Sequence, residues 1–202
     1  MKPRLIIEQK ITAFVNKYAV YRVNENGSKG DLAAFAQQKR FNIREKFIFY
    51  TDEAKTQTVF TMRAEKVLDI HGRFLVEDPD GQLIGAFKKE FAQSLINSTW
   101  TIIGKDGQPK LQVSESNHTL AVIRRFGSLL PIIGGLIDLL VVFLRYHFSF
   151  IDLANNQEVG TYTKTTLFRD RYRLEMTDDI YDQTDWRLLS AMAVALDALQ
   201  SR

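Results

Sequence analysis

The chain has 202 residues, 45% hydrophobic and 25% charged, with 4 Pro and 11 Gly, which suits one large β domain and leaves no room for a disordered arm or a long linker. Cysteine is absent, which excludes disulfides, thiolate metal sites, a cysteine nucleophile and S-acylation. Lys and Arg number 27 against 24 Asp and Glu, and a net charge of +3 is too small to imply nucleic acid by itself.

The N-terminal run MKPRLIIEQKITAF starts basic but has neither a long apolar core nor a small-residue cleavage site, so no signal peptide is expected. Aromatic-led, strand-like runs then recur. Tyr21-Arg-Val precedes Asn24 to Gly27, and Phe47-Ile-Phe-Tyr precedes Thr51 to Thr56. Phe74-Leu-Val precedes Glu77 to Gly81, Trp100-Thr-Ile-Ile precedes Gly104 to Gly107, and Phe148-Ser-Phe-Ile precedes Asp152 to Asn156. The lead positions are spaced by 26, 27, 26 and 48 residues. Each unit reads strand, Asx or Gly turn, strand, and repetition at this period predicts a hairpin array rather than a βαβ fold. Within a unit the period is 2: Leu83, Gly85 and Phe87 alternate with Ile84, Ala86 and Lys88. The Ala-rich run from Asp31 to Gln38 breaks the array and reads as a short helix or an irregular link.

The 48-residue gap holds an apolar insert at about 118–145. Its central 19 residues, 126–144, carry one charge, Asp138, and are interrupted by Pro131 and Gly134-Gly135. The favoured reading is two short apolar helical pieces packed on the fold. An element dipping into a membrane surface stands second, and a true span last, because a buried Asp opposes insertion by about 2.5–3.5 kcal/mol.

Near the C-terminus, Arg169, Arg171 and Arg173 alternate along FRDRYRLEM and project from one strand face, with Arg124 and Arg125 adding charge earlier. Guanidiniums about 6.8 Å apart can grip phosphates or another polyanion. The favoured reading is plainer, the solvated outer face of a strand, paired with acidic neighbours. Asp178, Asp179, Asp182 and Asp185 form a weak Ca²⁺ candidate, since carboxylate oxygens suit a hard cation. Their spacing does not match an EF-hand, and helix capping, with Thr184 or Asp182 as N-cap, accounts for them better. His71, His118 and His147 are isolated, and no phosphate loop, GxSxG elbow or HExxH is present, so neither a catalytic residue nor a metal or other cofactor is assigned. Trp100 and Trp186 read as core anchors, and Phe47, Phe74 and Phe148 fall at core-facing repeat positions rather than on a nucleic-acid platform.

The final segment, about 185–200, is apolar almost all round: from Leu188 to Leu199 only Ser190 and Asp197 are polar. A helix without a polar face is buried on every side. Sixteen residues reach roughly 24 Å, short of a bilayer, so the burying partner is protein. Strands wrapped around a central helix predict a mainly β, closed antiparallel barrel with a hydrophobic axle, as one domain over residues 1–202.

Several short runs resemble the LURP-one-related proteins, which are grouped with the phospholipid scramblases and the tubby C-terminal domain. They are Ala36-Gln-Gln-Lys-Arg-Phe41, Phe49 to Lys55, Phe74 to Gly81 with Gly85 to Lys89, and Ser94 to Trp100. Arg145 to Phe148, Leu167 to Arg173 and Ala193 to Gln200 complete the pattern, which spans about residues 18–202. The resemblance implies a barrel of about twelve strands enclosing the C-terminal helix. It also implies contact with phospholipid headgroups through basic side chains. A scramblase-like Ca²⁺ segment would fall at Asp178–Asp185, but the residues depart from that pattern. The Pro-rich N-terminal region and acylated cysteines of scramblases are missing as well.

The function expected is a non-enzymatic cytoplasmic binding module, peripheral to anionic phospholipid or membrane surface, with no nucleic-acid partner. The alternative is a soluble structural or regulatory scaffold that binds a protein partner or forms a homodimer through 126–144. An enzyme or lipid transporter stands third.

Overall fold

In the computed structural model, residues 1–11, 15–39, 46–65, 72–90, 98–116, 147–166 and 170–200 are described. They form twelve antiparallel strands: β1 (Lys2–Ile11), β2 (Val15–Val23), β3 (Lys29–Lys39), β4 (Phe47–Tyr50), β5 (Thr58–Ala64), β6 (Arg73–Glu77), β7 (Leu83–Lys89), β8 (Thr99–Gly104), β9 (Pro109–Glu115), β10 (His147–Asp152), β11 (Gln157–Lys164) and β12 (Asp170–Met176). Two helices follow, α1 (Asp178–Gln183) and α2 (Trp186–Gln200). Each strand pairs with its sequence neighbours, and β12 pairs with β1, closing a barrel. A closed barrel leaves no strand edge free.

All five expected hairpins are present, as β2–β3, β4–β5, β6–β7, β8–β9 and β10–β11. Each turn contains a residue in the left-handed region: Gly27, Lys55, Gly81, Gly107 and Asn156. In this up-and-down order, the turns after even-numbered strands share one end of the barrel with α1 and the start of α2.

Alternate residues of the strands face inward, including Leu5, Ile7, Tyr18, Val20, Phe49, Phe60, Val76, Phe87, Val113, Phe150 and Leu174, into one core shared with α2. From Leu188 to Ala198 every residue of α2 is at most 5% exposed. Eleven consecutive helical residues cover all faces of the helix, so α2 is enclosed and not laid on a surface. β7 comes close to it at Gly85, where a Cβ would lie 2.6 Å from Leu188 Cδ2 and 2.8 Å from the Ile103 carbonyl. Trp100 is 1% exposed, while Trp186 packs half-buried against the core.

Two local expectations are corrected. The run from Asp31 to Gln38 is not a helix or link but part of β3. Its alanines read as helical in isolation, yet inward Ala34 and Ala36 stand directly opposite Val20 and Tyr18, so small residues make room for large ones across the pair. The N-cap of α2 is neither Thr184 nor Asp182. Asp185 takes the role, its Oδ1 accepting from the Arg187 backbone N–H at 2.9 Å, while Thr184 ends α1. The apolar insert at 118–145, including 126–144 and Asp138, and also His71 and His118, lie outside the described residues. No helix among the described residues is long and apolar enough to cross a membrane.

Candidate functional site

The outer wall where β12, β1 and β2 meet carries a charged groove. Residue parity turns Arg171 and Arg173 outward while Tyr172, Leu174 and Met176 face the core. Closure of the barrel sets Glu8 opposite Arg171, and the β1–β2 register sets Lys10 opposite Lys17. A groove of about 610 Å³ is lined there by Glu8, Gln9, Lys10, Lys17, Glu53, Asp170 and Arg171, with Tyr21 at its side and the buried Phe35 beneath Lys17.

Glu8 accepts from both Arg171 (2.7 Å) and Lys29 (3.3 Å). Lys17 pairs with Glu53 at 3.2 Å, and Asp170 is matched by Lys164 at 2.6 Å. Among the described residues no carboxylate pairs with Lys10. The lining thus sets three cations, Lys10, Lys17 and Arg171, beside three carboxylates, Glu8, Glu53 and Asp170, with Lys29 and Lys164 joining from beyond it. Two of the cations lie over aromatic faces: Lys29 Nζ is 4.2 Å from the Tyr21 ring centroid and Lys17 Nζ 5.8 Å from that of Phe35. Like charges directly opposite on neighbouring strands repel, so Lys10 and Lys17 gain from an anion placed between them.

Of the five arginines singled out in the sequence, Arg171 lies in this groove. Arg173 is on the same face but turns to Glu175 at 3.8 Å. Arg169, Arg124 and Arg125 lie outside the described residues.

The acidic candidates do not converge. Asp178 bonds Lys2 and Arg4, whose hydrogen bonds hold its carboxyl below the usual carboxylate range. A hydrogen bond with Thr177 lowers Asp179. Burial raises the Asp185 carboxyl, but bonds from the Arg187 side chain and backbone overcome it and leave the group lowered. Among the described residues no three His, Cys, Asp or Glu side chains are placed to hold a metal ion.

A second cleft, about 690 Å³, opens at the turn end of the barrel, where the β6–β7, β8–β9 and β10–β11 turns meet α1 and α2. Its floor is apolar, with Ile84, Ile102, Leu111 and Leu188, and its charges are mostly paired, as in Lys110–Asp106 and Arg187–Asp185.

Inside the barrel, near the C-terminal end of α2, lies a polar cluster. Asp197 is 4% exposed and accepts from the hydroxyls of Tyr172 (2.7 Å) and Tyr18 (3.0 Å). Burial raises its carboxyl, against the two tyrosine hydrogen bonds, which lower it. Burial also raises Tyr18, Tyr162 and Tyr172 well above the ordinary phenol range, with the Asp197 charge as the next cause.

Compared with known proteins, the chain matches the LURP-one-related family model over residues 32–197. The chain belongs to the LURP-one-related family. The same barrel is found in a crystal structure of a protein from Arabidopsis thaliana, with a TM-score of 0.53 and 11% identity over 98% of this chain and 91% of that one. That likeness concerns the fold alone. No curated protein matches the sequence. In this LURP-one-related barrel, sequence reasoning missed Glu8, Lys10, Lys17 and Lys29, because they meet Arg171 only through cross-strand register. It also passed over Asp197, whose signal was present: a lone carboxylate within an apolar helix.

Proposed function

We propose that this LURP-one-related barrel is a non-enzymatic binding module that engages anionic phospholipid headgroups through the β12–β1–β2 groove. One observation carries the reading: Lys10 stands directly opposite Lys17 in a groove that also holds Arg171, and among the described residues no carboxylate pairs with Lys10. A phosphate there would relieve the repulsion between the lysines and accept from the guanidinium fork. Tyr21 would lie against the apolar part of the ligand.

Co-sedimentation with phosphatidylserine-containing vesicles and with neutral vesicles tests this. Each basic side chain near an anionic surface contributes about 1 kcal/mol. Lys10→Ala with Lys17→Ala and Arg171→Ala should therefore weaken binding to anionic vesicles by roughly a hundredfold. Melting should change little, because exposed ion pairs contribute under about 1 kcal/mol. Equal sedimentation of wild type with both vesicles, or equal binding by the triple variant, refutes the groove.

A second reading, a scaffold that binds a protein partner, draws on the turn end. Leu83, Leu153 and Met1 are 40%, 44% and 52% exposed there. Vesicle binding that fails while sedimentation velocity shows a concentration-dependent mass would favour it.

A further inference from the structure

We propose that the cleft at the turn end docks a basic, apolar segment of a partner protein, whose apolar side chains enter between Leu83 and Leu153 and whose Lys or Arg side chains meet the surrounding aspartates. This deepens the protein-scaffold reading given above, on which it rests, and does not draw on the headgroup groove.

The apolar part of the site runs from floor to rim. Ile84, Ile102, Leu111 and Leu188 make the floor, and Ile180 of α1 adds to it. Leu83, on the β6–β7 turn, lines the cleft, and Leu153, between the lining residues Asp152 and Ala154, extends it on the β10–β11 turn. Apart from Met1, these two are the exposed large apolar side chains among the described residues. Single exposed leucines are ordinary, but two that continue the apolar floor of a cleft mark an interaction surface.

The turns that carry them are braced without a partner. Asp78 Oδ1 accepts from the backbone N–H groups of Asp80 (3.0 Å) and Gln82 (2.8 Å), and Asp152 Oδ1 from that of Ala154 (3.0 Å). The Leu153 N–H donates to the Lys110 carbonyl at 3.0 Å and ties the β10–β11 turn to β9. A preformed cleft spares a ligand the cost of ordering it.

Charge identifies the partner. The segments 78–83, 104–110, 152–157 and 178–187, which surround the cleft, hold 8 Asp against Lys105, Lys110 and Arg187, in a chain of net charge +3. Lys110 is taken by Asp106 and Arg187 by Asp185, while Lys2 and Arg4 reach in from β1 but share Asp178. Arg22 lies over the Trp186 ring, 4.8 Å from its centroid. Among the described residues Asp78, Asp80, Asp152, Asp179 and Asp182 have no ion-pair partner, against Lys105 alone. An anionic membrane or an acidic peptide is repelled by this rim. A neutral apolar segment would take water from the carboxylates and give nothing back. A segment with Lys or Arg beside its apolar side chains complements both the floor and the rim.

The test titrates the full chain by calorimetry with three short synthetic peptides of one amphipathic order, built from Lys and Leu, from Glu and Leu, and from Lys and Gln. The Lys–Leu peptide should bind at least about tenfold more tightly than either of the others, and its affinity should fall as salt rises. Two double variants alter only exposed side chains: Leu83→Gln with Leu153→Gln, and Asp80→Lys with Asp182→Lys. Each should melt like wild type and bind the Lys–Leu peptide about tenfold more weakly. Amide NMR shifts caused by the peptide should cluster in 78–83, 104–110 and 152–157. Undiminished binding in both variants would place the peptide elsewhere and overturn the proposal. Equal binding of the Lys–Leu and Glu–Leu peptides would overturn the basic partner and leave the turn end a docking face. A concentration-dependent mass that the leucine variant abolishes, without peptide binding, would replace the partner by a second copy of the chain. Loss of binding to anionic vesicles in the leucine variant would make this end a membrane contact and overturn the proposal as well. Failure of every peptide to bind, with one mass at all concentrations, would remove the proposal and the scaffold reading together.

Discussion

Lys55 is held at φ 61°, a left-handed conformation that three of the other four hairpin turns give to glycine. A side chain with a Cβ costs about 1–2 kcal/mol there, and glycine relieves it. Lys55→Gly should accordingly raise the unfolding free energy by about 1 kcal/mol in urea denaturation, with no change in the slope of the transition. The same attention to single residues separates what local sequence reveals from what it hides. The outward direction of Arg171 and Arg173 is legible, because strand period 2 places them opposite Tyr172 and Leu174. Their partners are not legible. Glu8 is 163 positions away from Arg171 in the numbering, and only closure of β1 on β12 brings the two side chains to 2.7 Å. Asp197 was visible as an interruption in an apolar run, but its tyrosine donors come from β2 and β12.

Among the elements, α2 was the most legible, because a helix with no polar face has only one physical solution. Met192 and Leu196, four apart and both 0% exposed, pack into the core cluster together. Leu196→Ala should cost about 2–5 kcal/mol, measured by chemical denaturation, as buried leucine truncations do. A cost under 1 kcal/mol would mean that the helix is not enclosed. The hairpins were legible from their turns, since Asx and Gly residues impose the chain reversal locally. β1 and β3 were not. The former lacks a turn-flanked aromatic lead, and the latter owes its strand form to Tyr18 and Val20 across from its alanines. Short α1 was also hidden, its Asp178 and Asp179 satisfying a first turn that no apolar periodicity announces.

At the scale of the whole molecule, wall and axle cannot be separated. The inward side chains of the strands and of α2 make one cluster, so deleting residues 185–202 removes the surface against which the wall packs. The truncated chain should show no cooperative melting by circular dichroism; a transition near that of the intact protein would refute the enclosed helix. Charge is arranged differently around this body, with two lysines set directly opposite each other on the β12–β1–β2 wall and mostly paired charges lining the cleft at the turn end. The chain order of these parts also has a consequence for synthesis. β1 is made before the other strands of the barrel yet finds its second neighbour only in β12, and the core is filled only by α2 after that. Nascent strands must therefore hold apolar faces such as Phe49, Phe60 and Phe87 without their final cover until nearly all of the barrel has been translated. Long-range closure is slow, and exposed apolar strands invite aggregation in the meantime. Closure of this fold thus waits on the synthesis of α2, and the period before α2 arrives is when a nascent-chain chaperone has most to bind.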